Sequence, residues 1–185
     1  MPLSTPSKRS LIHNRNIHCE GYLREDGLVE VEGHMVDTKP FDFPNKDRGG
    51  YIRTGEALHG ISARITFDDT MKIVDAEAIL DHTPYNYCKM IAPVFKQLVG
   101  IRIGSGWRGK IREIMGGVKG CTHLTELLGP MATTAYQAMV TVKFGDQVLE
   151  SENIGITQAP ELLNTCFSHA EGSPVVKEHL PEIYE

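Results

Sequence analysis

Two stretches of apolar–polar alternation constrain this chain more than anything else in it. In the first, "IHCEGYLREDGLVEVEGHMVDTK" (residues 17–39), two extended runs meet at Asp26-Gly27, a strong turn signal. Val29, Val31 and Met35 share one face of the second run, with Glu30, Glu32 and His34 on the other. Asp37 falls on the Val face where the strand should end. An aspartate at that parity is either at the rim of the sheet or aimed into a site. In the second stretch, Ile61, Ala63, Ile65 and Phe67 alternate with Ser62, Arg64, Thr66 and Asp68. After a turn near Asp69-Thr70, Val74, Ala76, Ala78 and Leu80 point one way and Asp75 and Glu77 the other. Each stretch therefore predicts a hairpin with one face in a core.

Between them, "KPFDFPNKDRGGYIRTGEALHG" (residues 39–60) reads as a Pro/Gly-rich loop. The remainder has helical spacing. Val94, Phe95, Leu98 and Val99 predict a helix that starts near Ala92-Pro93, because proline in a helix interior costs ~3 kcal/mol. That leaves Cys88 in the turn leading into it. Trp107, Ile111, Ile114 and Met115 predict a second helix, ended by Gly116-Gly117. Leu124, Leu127, Leu128, Met131, Ala135 and Met139 predict a third, starting near Thr122. Strands first and helices second make an α+β fold, an N-terminal antiparallel sheet built from hairpins with C-terminal helices packed on it. Residues 1–16 are expected to be a flexible arm and residues 17–185 a single α+β domain, long enough for a real core.

The net charge of −5 argues against a nucleic-acid or anionic-membrane surface. No run approaches the ~18 apolar residues of a membrane span. The basic start, "MPLSTPSKRSLIHNRNIH", lacks the apolar core of a secretory signal, so the expected location is cytoplasmic. Cys19, Cys88, Cys121 and Cys166 are widely spaced and form no Cys-x-x-Cys pair, which argues against a disulfide framework. "GSGWRG" matches the dinucleotide pattern G-x-G-x-x-G, but no buried parallel strand precedes it, so nucleotide binding is rejected.

The chemistry-bearing stretch is "GCTHLTELLGP" (residues 120–130). A thiol at the head of a helix meets unpaired amides and the positive end of the dipole, which favour the thiolate that attacks electrophiles or binds metal. At a first turn, Cys121 can bring its side chain towards His123. The bland alternative is a packed thiol with His123 on a backbone carbonyl. Cys166 and His169, spaced i, i+3 in "NTCFSHA", share a helical face if a helix forms there. Otherwise a short helix docks through Leu162, Leu163, Cys166 and Phe167. His82 and Cys88 flank "TPYNY", where the sheet hands over to the helices, a natural place for a site.

"GYLREDGLVEVEGHMVDTKP", "IVDAEAILDHTPYNYC", "LVGIRIGSGWRGKI" and "GGVKGCTHLTELLGPMATTAYQ" together resemble an uncharacterised bacterial family, domain-of-unknown-function family 2889. The resemblance covers roughly residues 15–180, and GCTHLTELLGP is its most specific part. A weaker likeness is to the iron-sulfur-cluster scaffold fold, in which an antiparallel sheet is followed by helices, one ligand Cys follows the strand and another precedes the long helix. That resemblance implies ligand positions at Cys88 and Cys121, with Asp37 or Cys166 completing a site; "HMVDTKP" stands near the place of the scaffold's Cys-Gly-Asp motif. The expectation is thus one zinc or iron ion held by Cys88, Cys121 and His123, with Cys166 or Asp37 added. Thiolates favour those metals over Mg²⁺ or Ca²⁺. Two alternatives stand beside it. One is a metal-free enzyme on a small-molecule substrate, with Cys121 as nucleophile or acid and His123 or His82 as base. The other is a non-catalytic interaction module.

Overall fold

Alternation becomes pairing in β1 (Asn14–Leu23) and β2 (Val29–Thr38), which run antiparallel. The coordinates are a computed structural model that describes residues 3–150 and 162–180. Gly27, at φ 84°, takes the left-handed conformation this turn requires and a Cβ disfavours. The stretch read as a loop contains a small hairpin of its own, β3 (Phe43–Asn45) with β4 (Gly50–Ile52). Then β5 (Ala57–Phe67) and β6 (Ile73–His82) complete an antiparallel sheet of order β1-β2-β5-β6.

One parity differs from expectation. The β5–β6 ladder shifts between Thr66 and Phe67, leaving Val74 unpaired and 42% exposed while Ile73 is buried. A bulge inserts one residue into one strand and so reverses parity on one side of it.

The inward face of the sheet reads as rungs across the strands. Gly21–Val31–Ile65–Ala76 and Cys19–Gly33–Ala63–Ala78 are followed by Ile17–Met35–Ile61–Leu80. Helix α1 (Trp107–Met115) buries Trp107, Ile111 and Met115 in the same core. The long helix α2 (Thr122–Glu150) buries Leu124, Leu127, Leu128, Met131, Ala135 and Met139, the predicted set. It carries Gly129 and Pro130, which cost a helix interior roughly 1 and 3 kcal/mol. Burial of its apolar stripe, at ~1.5–3 kcal/mol per side chain, outweighs them. The helix comes close to the sheet because two inward positions lack side chains. A Cβ on Gly33 would stand 2.7 Å from Met131 Cγ, and one on Gly21 would stand 2.9 Å from Ala138 Cβ.

The first predicted helix is instead a 3₁₀ helix over Asn86–Leu98, with Cys88 inside it. Its buried residues are Phe95 and Leu98, three apart, a spacing that suits three residues per turn. The described residues fall into two compact units that divide between Met139 and Val140. In the second, α3 (Pro174–His179) is capped by the Ser173 hydroxyl, which accepts from the Val176 amide, and Val176 and Leu180 pack with Leu163. Residues 163–173 form turns and bends, so no helical face carries Cys166 and His169, and Phe167 is 96% exposed. Among the described residues no helix is long and apolar enough to cross a membrane.

Candidate functional site

The inward face ends on a charged rung. Arg15 of β1 lies opposite Asp37 of β2, and Asp37 lies opposite His59 of β5. Just beyond, the β2–β5 ladder shifts and Thr38 pairs with Ala57. The bulge lets the strand end diverge while His59 stays on Asp37.

Asp37 is 0% exposed. A buried carboxylate costs several kcal/mol unless it is paired, and this one is paired on both oxygens. Arg15 donates from Nε to Oδ1 at 2.7 Å and from Nη2 to Oδ2 at 2.8 Å, the two-pronged geometry that only a guanidinium offers. His59 Nδ1 lies 2.9 Å from Oδ2, His13 Nε2 3.4 Å from Oδ1 and His123 Nε2 3.6 Å from Oδ2. Arg15 also pairs with Glu126 of α2. Burial pushes the Asp37 carboxyl up, but Arg15 and His59 together outweigh it and hold it at about 2. The same bond to Asp37 keeps the Arg15 guanidinium above its ordinary value against the pull of burial.

The second half of the site comes from the head of α2. Cys121 immediately precedes the helix and its carbonyl accepts from the Thr125 amide at 3.0 Å. His123, in the first turn, stacks on His59 with ring centroids 3.7 Å apart and planes tilted by 31°. Its Nδ1 is 3.8 Å from Cys121 Sγ, so the imidazole stands between a thiol and a carboxylate. Burial raises the Cys121 thiol, yet His123 and the amides of Leu124 and His123 more than reverse this and set it below the ordinary value. Burial, then the His123 neighbour, push His59 down against the pull of Asp37, so His59 is neutral at pH 7.

Ligand-capable atoms of Asp37, His59 and His123 lie within 4.8 Å of one another, a group suited to a metal ion. Two of these, Asp37 and His123, were expected as ligands, and Cys121 abuts the second. His59 was hidden in the stretch read as loop. Its signal was the antiparallel pairing of β2 with β5, which puts the Asp37 position across from it. Cys88 is half-buried in the 3₁₀ helix and Cys166 is exposed in the second unit; neither belongs to this group. His82 is exposed at the end of β6, opposite Gly60, and the imidazole beside Cys121 is His123. A cavity of about 400 Å³ opens beside His59, between the β3 end and the loop at Pro84-Tyr85.

Residues 13–137 match the family described as protein of unknown function (DUF2889). The chain belongs to that family. The span that makes it a DUF2889 protein contains Arg15, Asp37, His59, Cys121 and His123 and stops short of Cys166. No curated protein and no solved structure matches the DUF2889 chain.

Proposed function

We propose that this DUF2889 protein binds one transition-metal ion, zinc or iron, through Asp37, His59 and His123. The observation that carries the reading is the meeting of three ligand atoms within 4.8 Å around a carboxylate removed from solvent. Ligand atoms arranged tetrahedrally at ~2.0–2.1 Å from a metal lie roughly 3.3 Å from each other. The separations of 2.9 Å and 3.6 Å from Asp37 Oδ2 bracket that value. Two imidazole nitrogens with one carboxylate oxygen suit zinc or iron better than Mg²⁺ or Ca²⁺. Metal binding at His59 Nδ1 displaces the proton that this nitrogen donates to Asp37 and leaves the ring's proton on Nε2. Arg15 keeps Asp37 ionised, and the Cys121 sulfur behind Nδ1 of His123 turns Nε2 forward, the supporting role outer partners play at metal centres. Three protein ligands leave a position open, where a bound metal polarises a substrate oxygen or activates water.

Metal analysis of protein purified without chelator or affinity-tag metal tests the reading. About one equivalent of zinc or iron is expected, lost in Asp37→Asn, His59→Ala and His123→Ala, with affinity reduced ~10–100-fold in Cys121→Ser. A content near zero that does not rise on anaerobic incubation with Zn²⁺ or Fe²⁺ would falsify it.

One observation favours a second reading. Cys121 Sγ, His123 and Asp37 form a relay, 3.8 Å and 3.6 Å at its two joints, with the thiol already below its ordinary value. That is the layout of a nucleophile, its base and the group orienting the base. On this reading metal-free protein is alkylated at Cys121 rapidly and stoichiometrically, and His123→Ala abolishes the rate advantage.

A further inference from the structure

We propose that the cavity beside His59 binds a small carboxylic acid, a monoanion with an aromatic or branched apolar body, and presents it to the centre above. The role of the bound acid rests on the metal reading, whereas its binding does not. The volume of about 400 Å³ falls within the ~300–1,000 Å³ of small-molecule sites. Its walls are mostly apolar, with Phe43, Pro44, Leu58, Pro84 and Tyr85 beside Asn45, Lys46 and His59. Such walls suit a flat or branched hydrocarbon body and reject a sugar or a polyol, whose hydroxyls would be left unpaired.

The charge of the ligand follows from Lys46. It lines the same cavity, is exposed, and has no ion pair among the described residues. One ammonium balances one carboxylate. A phosphate, with nearly two charges and more acceptor oxygens, calls for a guanidinium fork or several donors, and no arginine lines the cavity.

The walls are held in place before any ligand arrives. Asn45 Nδ2 donates to the Pro84 carbonyl at 2.9 Å, and the Asn86 amide donates to Asp47 Oδ2 at 2.9 Å. Arg48 Nη1 donates to the Ala57 carbonyl at 3.3 Å. These ties fasten the segment after β3 to both the Pro84 loop and the start of β5, so the ligand need not order the cavity itself. His59 connects cavity and centre, because it is one of the residues lining the first while its Nδ1 lies 2.9 Å from Asp37 Oδ2.

Calorimetric titration of the full chain with benzoate, benzamide and acetate tests this, with metal content measured on each sample. Benzoate should bind saturably, benzamide ~5-fold more weakly for want of the charge, and acetate not measurably. Lys46→Met should bring benzoate down to the benzamide level. Tyr85→Ala should weaken both aromatic probes ~10-fold by removing a wall. Both variants alter exposed side chains and should unfold at the wild-type urea midpoint with metal content unchanged. Benzamide bound as tightly as benzoate would overturn the anion assignment. The absence of saturable benzoate binding, or binding indifferent to both substitutions, would overturn the cavity. The two proposals fail separately. Binding in metal-free protein that remains sensitive to Lys46 and Tyr85 sustains the cavity without the metal, and one equivalent of metal without benzoate binding does the reverse.

Discussion

Asp37 and His59 face one another across the β2–β5 ladder, Oδ2 to Nδ1 at 2.9 Å, on a charged rung at the end of an apolar sheet face. Two groups in contact, one buried and one nearly so, titrate in the same direction on unfolding. Asp37 sits at about 2 against 3.8 when unfolded, and His59 lies below 6.5. The folded chain therefore binds fewer protons than the unfolded chain as pH falls. Stability is fully present above about pH 6.5. It should begin to fall as pH drops below that, where unfolded His59 takes up its proton, and fall again between about pH 4 and pH 2, where Asp37 does. The second step is on the order of 2 kcal/mol. Urea midpoints across this range should fall for the wild type, and the lower step should be shallower in Asp37→Asn, with the remainder due to other carboxylates that folding lowers, such as Asp42 and Asp68.

Arg15 is expected to matter far more than its place on an edge strand suggests. Arg15→Met leaves the buried Asp37 charge without its fork, a loss of ~3–5 kcal/mol, and Arg15→Lys recovers only part because an ammonium cannot span both oxygens. Glu126→Gln, which removes the exposed arm of the same network, should cost at most ~1 kcal/mol. Equal losses at the two positions, measured by urea unfolding, would refute the weight given to the buried pair.

Gly33→Ala should cost ~1–3 kcal/mol, since its Cβ would stand 2.7 Å from Met131 Cγ in a packed interface. The double variant with Met131→Ala should lose less than the sum of the singles. Strict additivity in thermal unfolding would show that the helix does not seat there.

Two of the three half-buried thiols of the first unit, Cys19 and Cys121, should separate in reactivity. Burial pushes the Cys19 thiol up against a weaker pull from Thr134, whereas Cys121 ends below its ordinary value. With limiting iodoacetamide near pH 7, peptide mapping should find Cys121 modified first of the pair. Modification of Cys19 first would contradict the assigned environment of Cys121.

Much of this was legible in the alternation. The face of β2 that carries Val29, Val31 and Met35 also carries Asp37, and its parity alone marked that aspartate as unusual. The head of α2 was equally plain, because an apolar stripe beginning at Leu124 leaves Cys121 and His123 at its start. His59 was not legible. It follows a segment rich in proline and glycine, and those residues signal a loop whether or not a strand resumes at Ala57. Arg15 precedes the apolar alternation of β1, so only pairing with β2 reveals it as a strand residue. The 3₁₀ helix was read as α because Val94, Phe95, Leu98 and Val99 carry the i, i+1, i+4, i+5 spacing of an α-helix, whereas only Phe95 and Leu98, three apart, are buried. Val74 escaped because a bulge changes parity without changing composition.

His123, Leu127 and Met131 are four residues apart along α2, so they form one stripe, and Leu127 and Met131 are the side chains that enter the space above Gly33. From Met131 back to His123 is ~12 Å of helix at 1.5 Å per residue. From Gly33 on to Asp37 is ~13 Å of strand at 3.3–3.4 Å per residue. The two lengths agree, so the bare patch on β2 acts as a gauge for a contact more than two helical turns away. A helix that slid by a single residue would carry His123 ~1.5 Å along the strand, a shift comparable to the margin that separates a bond from a gap. Selection on the chemistry at Asp37 would then be felt at Gly33, a residue that touches none of it.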